Sequence, residues 1–242
     1  MSVAVFSLNP ELDRSSLGKT FAEDDCLQIS NFLTPASMDR LISAVSGVNW
    51  HLVMNDRERH IDLPVAELPK LGMDRIQAAI HQARKRAATE FQYVYENVPV
   101  ADAFENGHLK GSDLGRFFSF MNSATVRSFL EDVTGHKTDF CDMQLTKYGP
   151  GHVLTEHTDG IEGKNRKFAY VLSLTPDWRA IWGGQLQFLT EEGQVTKSFV
   201  PAFNTLSIFS VPVPHHVTEV ASFAPHSRVS MTGWFRTRGV GL

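Results

Sequence analysis

The second half of the chain constrains the fold most. From residue 139 onward, short runs of β-type residues are broken by Gly, Pro and Asp, and no helical period intervenes. The runs are Met143–Tyr148, Phe168–Thr175, Gln185–Thr190, Val195–Val200, Thr205–Ser210, His215–Val220 and Arg228–Arg236. Short strands at near-regular spacing suit a sandwich or barrel, whereas a parallel sheet needs a crossover helix between strands. No GxGxxG or P-loop pattern occurs, which also weighs against a nucleotide-binding α/β fold.

The first half reads as mixed, with several helices. Thr34-Pro35 supplies a cap and a first-turn proline, and Met38, Leu41, Ile42 and Val45 follow at the spacing of one helical face. A second helix is expected from about Leu71 to Phe91, carried by Met73, Ile76, Ile80, Ala83, Ala87 and Phe91. A third fits 123–134, with Val126, Phe129, Leu130 and Val133 on its face and Gly135 as its stop. With no Pro-, Gly- or Ser-rich linker, the chain is expected to be one domain, 1–242. Residues 1–138 would be a helical support region, and 139–238 a jelly-roll core. The fold class is α+β and mainly β, with the N-terminal helices packed on one face.

Composition narrows the function. Seventeen Phe and four Trp within a 42% hydrophobic chain supply a core, which argues against disorder. Twenty-three basic against 27 acidic side chains, net −4, argue against broad nucleic-acid binding. No apolar run approaches the ~20 residues of a membrane span, and the N-terminus has neither a basic n-region nor an apolar h-region, so a cytoplasmic location is expected. Cys26 and Cys141, without CxxC spacing, offer no disulfide framework and no zinc knuckle.

Ten histidines invite a search for metal ligands. An open non-haem Fe(II) site uses two His and one carboxylate. In an extended chain, residues i and i+2 point the same way, so His-x-Asp presents an imidazole beside an acid. Two such triplets occur, His60-Ile61-Asp62 and His157-Thr158-Asp159, against ~0.6 expected from composition. The first lies in the polar stretch Asn55–Arg59 and reads as a surface or loop segment. The second follows the turn-rich Tyr148-Gly149-Pro150-Gly151 within the β half. Downstream come Pro214-His215-His216-Val217 and then the last strand. Alternation there puts Arg228, Ser230, Thr232 and Trp234 on one face, with Val229, Met231 and Phe235 on the other. A guanidinium sharing a face with hydroxyls suits a carboxylate inside a cavity. His51, His81, His108, His136 and His226 read as surface or loop residues, Trp178 and Trp182 are open between sheet packing and a role in the site, and the Lys164-Asn165-Arg166-Lys167 run reads as a solvated face.

The ordered set His157-x-Asp159, His215 and Arg228-x-Ser230 resembles the 2-oxoglutarate- and Fe(II)-dependent dioxygenases, which are built on a double-stranded β-helix. More narrowly, the chain is similar to their prolyl 4-hydroxylase-like subgroup. The resemblance covers most of 141–236, including Leu172–Trp178, Trp182-Gly183-Gly184-Gln185-Leu186 and Pro201–Asn204; Ile29–Pro35 and Phe91–Tyr95 also look like segments of bacterial members. It implies that His157, Asp159 and His215 hold iron, with His215 preferred to His216 because it fits the family's His-x-Val form. It further implies that Arg228 pairs with the distal carboxylate of 2-oxoglutarate, that Tyr148 and Ser230 assist there, that Trp234 walls the pocket and that Arg166 faces the substrate. The cofactors implied are Fe(II), 2-oxoglutarate and O2, with ascorbate as a candidate reductant. The partner implied is a proline-containing protein or peptide, with neither nucleic acid nor membrane; a free amino acid or other small molecule is the alternative substrate. A cupin-like metal-binding protein without oxygenase activity is the alternative class. Segment 100–122, with Gly107, Gly111 and Gly115, is a candidate lid by composition.

Overall fold

The computed structural model describes residues 5–57 and 59–239. The outermost residues of the expected 1–242 domain, and Glu58 within the polar stretch 55–59, lie outside that description. The helices are α1 (Arg14–Asp24), α2 (Pro35–Val45), α3 (Leu68–Leu71), α4 (Met73–Arg86), α5 (Val100–Glu105), α6 (Asp113–Met121) and α7 (Ala124–Thr134). The strands of the first half are β1 (Cys26–Ile29), β2 (His51–Asp56), β3 (Arg59–Pro64) and β4 (Tyr93–Val98). Those of the second half are β5 (Phe140–Cys141), β6 (Gln144–Tyr148), β7 (Val153–His157), β8 (Arg166–Ser173), β9 (Leu186–Leu189), β10 (Val195–Phe199), β11 (Thr205–Ser210), β12 (His215–Val217) and β13 (Arg228–Arg236).

The strands form one antiparallel sheet, ordered β1-β11-β8-β13-β6-β4-β7-β12-β9-β10, with the β2–β3 hairpin added to β4 and β5 to β13. It curls into a nearly closed, jelly-roll-like barrel. The first half is therefore more than a helical support. β4 lies between β6 and β7, its Tyr93 and Val94 pairing with β7 and its Glu96–Val98 with β6. β1 pairs with β11 over four residues. The first-half strands escaped the sequence reading because they lie among helical runs, and β2 buries Leu52, Val53 and Met54 in succession, which leaves no period of two to see.

Two helices follow their signals closely. The Thr34 side chain accepts from Ser37 N–H ahead of Pro35 in α2, while Ser123 accepts from Val126 N–H and Gly135 closes α7 at φ 73°. The helix expected over 71–91 is shorter than predicted. α3 ends at Gly72 (φ 90°), and α4 stops at Arg86. Beyond it the chain is pulled out of the helix: Asn55 Nδ2 donates to the Phe91 carbonyl and the chain enters β4.

Helices α1, α2, α5, α6 and α7 cover one face of the sheet and form the main core. Phe32, Leu41, Phe117, Met121, Val126 and Leu130 meet Leu145, Leu172, Leu206, Ile208, Met231 and Phe235 there, all fully buried. Each large side chain so buried contributes roughly 1.5–3 kcal/mol. This face also disposes of the lid expected over 100–122. Leu114, Phe117, Phe118 and Met121 repeat at i, i+3, i+4 and i+7 and are buried, so α6 is a buttress. Gly107 and Gly111 serve turns at positive φ, but Gly115 is helical, and a Cβ there would stand 2.4 Å from the Leu109 carbonyl oxygen. The opposite face of the sheet, left free of helices, lines the barrel interior.

Candidate active site

The barrel encloses a cavity of about 440 Å³. Toward its mouth, β7 and β12 pair so that His157 and His215 are direct partners, with ring centroids 4.2 Å apart. Asp159 joins them by a different route from the one expected. Strand β7 ends at His157, and Asp159 adopts a left-handed conformation (φ 61°), so a turn and not strand alternation brings the acid beside the imidazoles. Its Oδ1 lies 3.5 Å from His157 Nε2 and its Oδ2 3.4 Å from His215 Nε2. One ligand atom from each of the three residues lies within 4.8 Å of the others.

The surroundings fix which nitrogen faces the centre. His157 Nδ1 is 2.9 Å from the Thr155 carbonyl oxygen, and His215 Nδ1 is 2.8 Å from that of Val213. A ring N–H donated to a carbonyl leaves Nε2 as the free lone pair, the arrangement that orients metal-bound imidazoles. Burial alone would raise the Asp159 carboxyl; the two imidazoles against it hold it well below the usual carboxylate range. Two imidazole nitrogens and one carboxylate oxygen are a donor set that suits a first-row divalent metal. His216 faces away, its Nε2 2.9 Å from Gln187 Oε1.

At the closed end stands Arg228, 2% exposed and opposite Tyr148 in the β6–β13 register. Its guanidinium carbon is 5.4 Å from the centre of the Tyr148 ring, which stacks on Tyr95 at 5.0 Å. No carboxylate pairs with Arg228 among the described residues, and its Nε and Nη1 are buried without a hydrogen-bond partner. Burial pushes the guanidinium down to about 10, only partly offset by Tyr148. The hydroxyls of Ser230 and Thr232 and Trp234 Nε1, on the same strand face, are equally buried and unpartnered. Of these, the unpartnered donors of Arg228, Thr232 and Trp234 line one cavity, which describes a site built for a polar, anionic occupant.

Arg166 and Trp234 form the side wall. The Arg166 guanidinium lies 3.6 Å from the centre of the Trp234 ring, and its Nη1 donates to the Asp159 carbonyl at 3.0 Å. The side chain is 12% exposed, so Arg166 is not part of a solvated basic face. Trp178 and Trp182 pack edge-on to each other and to His226 behind the closed end.

The other His-x-Asp triplet is a strand, not a loop. His60 and Asp62 lie on β3, with His60 Nδ1 2.7 Å from Tyr93 Oη and Asp62 Oδ1 2.6 Å from His51 Nδ1. Sequence reasoning gave no cavity role to Phe91, Tyr93, Tyr95, Gln144 or Thr146, all of which line it. The alternation of Phe91, Tyr93 and Tyr95 was the available signal, and placing Phe91 on a helical face concealed it.

Comparison with known proteins agrees with this geometry. Residues 143–236 match the family model of the 2OG-Fe(II) oxygenase superfamily. A prolyl 3-hydroxylase OGFOD1 of Xenopus laevis is 37% identical over 117 residues, 45% of this chain and 22% of that protein. This chain thus spans about a fifth of the length of that curated relative. The crystal structure of a Pseudomonas putida prolyl-4-hydroxylase superposes with a TM-score of 0.59 at 19% identity, covering 94% of this chain and 100% of that one. A Trichoplax adhaerens prolyl hydroxylase, in complex with a hypoxia inducible factor oxygen degradation domain peptide fragment, gives 0.59 at 18% identity, with 92% and 88% covered. Residues 143–236, with the two imidazoles, the acid and the buried guanidinium, are thus similar to the 2OG-Fe(II) oxygenase superfamily, on a fold like that of solved prolyl hydroxylases.

Proposed function

We propose that this protein is a 2-oxoglutarate- and Fe(II)-dependent dioxygenase that hydroxylates a prolyl residue of a protein or peptide. The observation that carries the reading is the buried, unpaired Arg228 guanidinium in the wall of the same cavity as His157, Asp159 and His215. A cupin-like metal-binding protein has no use for such a group, whereas a 2-oxo diacid needs it. The named relatives, prolyl hydroxylases, support the choice of substrate.

In this reading His157, Asp159 and His215 hold Fe(II). Arg228 pairs with the distal carboxylate of 2-oxoglutarate, Tyr148 and Ser230 add hydrogen bonds at that end, and Trp234 walls the pocket. With iron, 2-oxoglutarate and O2 bound, the chemistry supplied is decarboxylation to succinate and CO2 coupled to transfer of one oxygen atom to a substrate carbon. The protein orients and shelters: the carbonyls of Thr155 and Val213 hold the imidazoles, and Tyr95 and Tyr148 keep the cosubstrate end dry. Arg166, clamped between Trp234 and Asp159, faces the substrate. We further propose that the chain acts as a single catalytic domain, that ascorbate serves as reductant and that the protein works in the cytoplasm. No helix among the described residues is long and apolar enough to cross a membrane.

Native-state ligands raise the melting temperature by linkage. Mn(II) and 2-oxoglutarate together are expected to raise it more than Mn(II) alone, and 2-oxoglutarate turnover should rise with prolyl peptides and not with free L-proline. No response to 2-oxoglutarate in the presence of Mn(II) would sink the dioxygenase reading. Stimulation by free L-proline alone would replace the macromolecular substrate with a small one.

A further inference from the structure

Arg228 is held from behind by a plug of loops, and we propose that Trp178, Gly183, Gly184 and Val220 are positioning residues. They would fix the guanidinium in the cavity and so set the preference for a 2-oxo acid carrying a far carboxylate. The inference rests on the dioxygenase reading and adds residues to it that touch neither metal nor cosubstrate.

The plug depends on two glycines at positive φ. At Gly183 (φ 70°) a Cβ would stand 2.1 Å from the Glu219 carbonyl oxygen, so only glycine lets the 218–221 segment cross there. At Gly184 (φ 65°) a Cβ would lie 3.3 Å from Arg228 Cδ and from Val220 Cγ2, and 3.4 Å from Trp178 Cζ2. The missing methyl is thus a space bordered by all three side chains. Backbone bonds lock the crossing: Gly184 N–H to Thr218 O at 3.2 Å, Ala221 N–H to Trp182 O at 2.9 Å and Val220 N–H to His152 O at 3.1 Å. Trp178 Nε1 donates to the Gly183 carbonyl at 2.9 Å, and Val220 is wholly buried.

Arginine ordinarily lets its head escape to water along a flexible stem. Here the stem is backed by Val220 and the Trp178 ring, so the charge cannot withdraw toward solvent behind the barrel. The donors of Arg228 remain aimed into the cavity without a partner. Binding energy that would otherwise be lost in ordering the side chain is retained, which is the general benefit of preorganisation.

The test uses the full chain loaded with Mn(II) and titrated calorimetrically with 2-oxoglutarate or 2-oxopentanoate. The second has the same five carbons and no far carboxylate. Gly184→Ala and Trp178→Phe are each expected to raise the Kd for 2-oxoglutarate about tenfold, while the affinities for Mn(II) and 2-oxopentanoate stay as in the wild type. Circular dichroism and the melting temperature establish that each variant is folded; if Gly184→Ala is not, Trp178→Phe carries the test. Equal weakening of both 2-oxo acids would assign the plug to general packing and overturn the inference. So would unchanged discrimination in the variants, with the dioxygenase reading intact. A wild-type protein that binds neither acid overturns both.

Discussion

Replacing Arg228 with methionine should make the ligand-free protein more stable and at the same time far less responsive to 2-oxoglutarate. In the ligand-free fold the guanidinium is 2% exposed, with Nε and Nη1 unpartnered. Burial takes it from its ordinary 12.5 to about 10, which corresponds to roughly 3 kcal/mol of lost solvation. Methionine fills much of the same volume without a charge to desolvate. Exchanging buried charges for apolar residues of similar size gains on the order of 1–4 kcal/mol, and ~1 kcal/mol moves the midpoint by ~2–4 °C in a domain of this size. The ligand-free variant should therefore melt about 2–16 °C above the wild type. In the wild type, 2-oxoglutarate at about 100 times its Kd should add roughly 2.7 kcal/mol to the Mn(II)-loaded protein; in the variant it should add much less. Differential scanning fluorimetry with and without each ligand reads both effects. A variant that melts below the ligand-free wild type would mean that the guanidinium is already satisfied, and the argument from an unpaired charge would fail.

The remaining expectations concern other parts of the molecule. His215→Ala should abolish the stabilisation by Mn(II), whereas His216→Ala should keep it, because His216 is engaged with Gln187 outside the cavity; retention in the first variant would reassign the ligand. Burial lowers the His152 imidazole below its ordinary 6.5. The unfolded chain then takes up a proton that the folded chain refuses, so stability is full above 6.5 and lost as the pH falls through it. Urea midpoints should fall between pH about 7.5 and about 5.5, and His152→Asn, which keeps an acceptor for the Gly149 N–H, should flatten that slope. His216, lowered by burial in the same direction, adds to the slope. A fragment of residues 139–238 should show no cooperative melting by circular dichroism, since it lacks β4 between β6 and β7 and the helices over Met231 and Phe235; a sharp transition would make the first half dispensable.

What could be read from the sequence was whatever physics writes locally. The alternation of Arg228, Ser230, Thr232 and Trp234 survives in the structure because β13 is long and its other face, Met231 and Phe235, meets the helical layer. Caps at Thr34 and Ser123 and the stop at Gly135 are equally local. The residues that needed partners from far away were missed. β4 has its place because β6 and β7 flank it, and Tyr93 and Tyr95 line the cavity only as a result. Asp159 was recognised for an incorrect geometrical reason, since a left-handed turn does what alternation was expected to do. The glycines of 100–122 suggested looseness because their count was noticed before the helical period of Leu114, Phe117, Phe118 and Met121.

β13 follows every other strand in chain order, yet it hydrogen-bonds to β5, β6 and β8. Its docking closes long loops, exceeded only by the pairing of β1 with β11, and belongs to the slow end of folding. Under the proposed roles, all three metal ligands precede residue 228. A growing or stalled polypeptide could thus gather ferrous ion before it owns the hook for the acid that disciplines oxygen chemistry. Under those roles, seating the last strand would be what adds the cosubstrate's hook to three metal ligands that all come earlier in the chain.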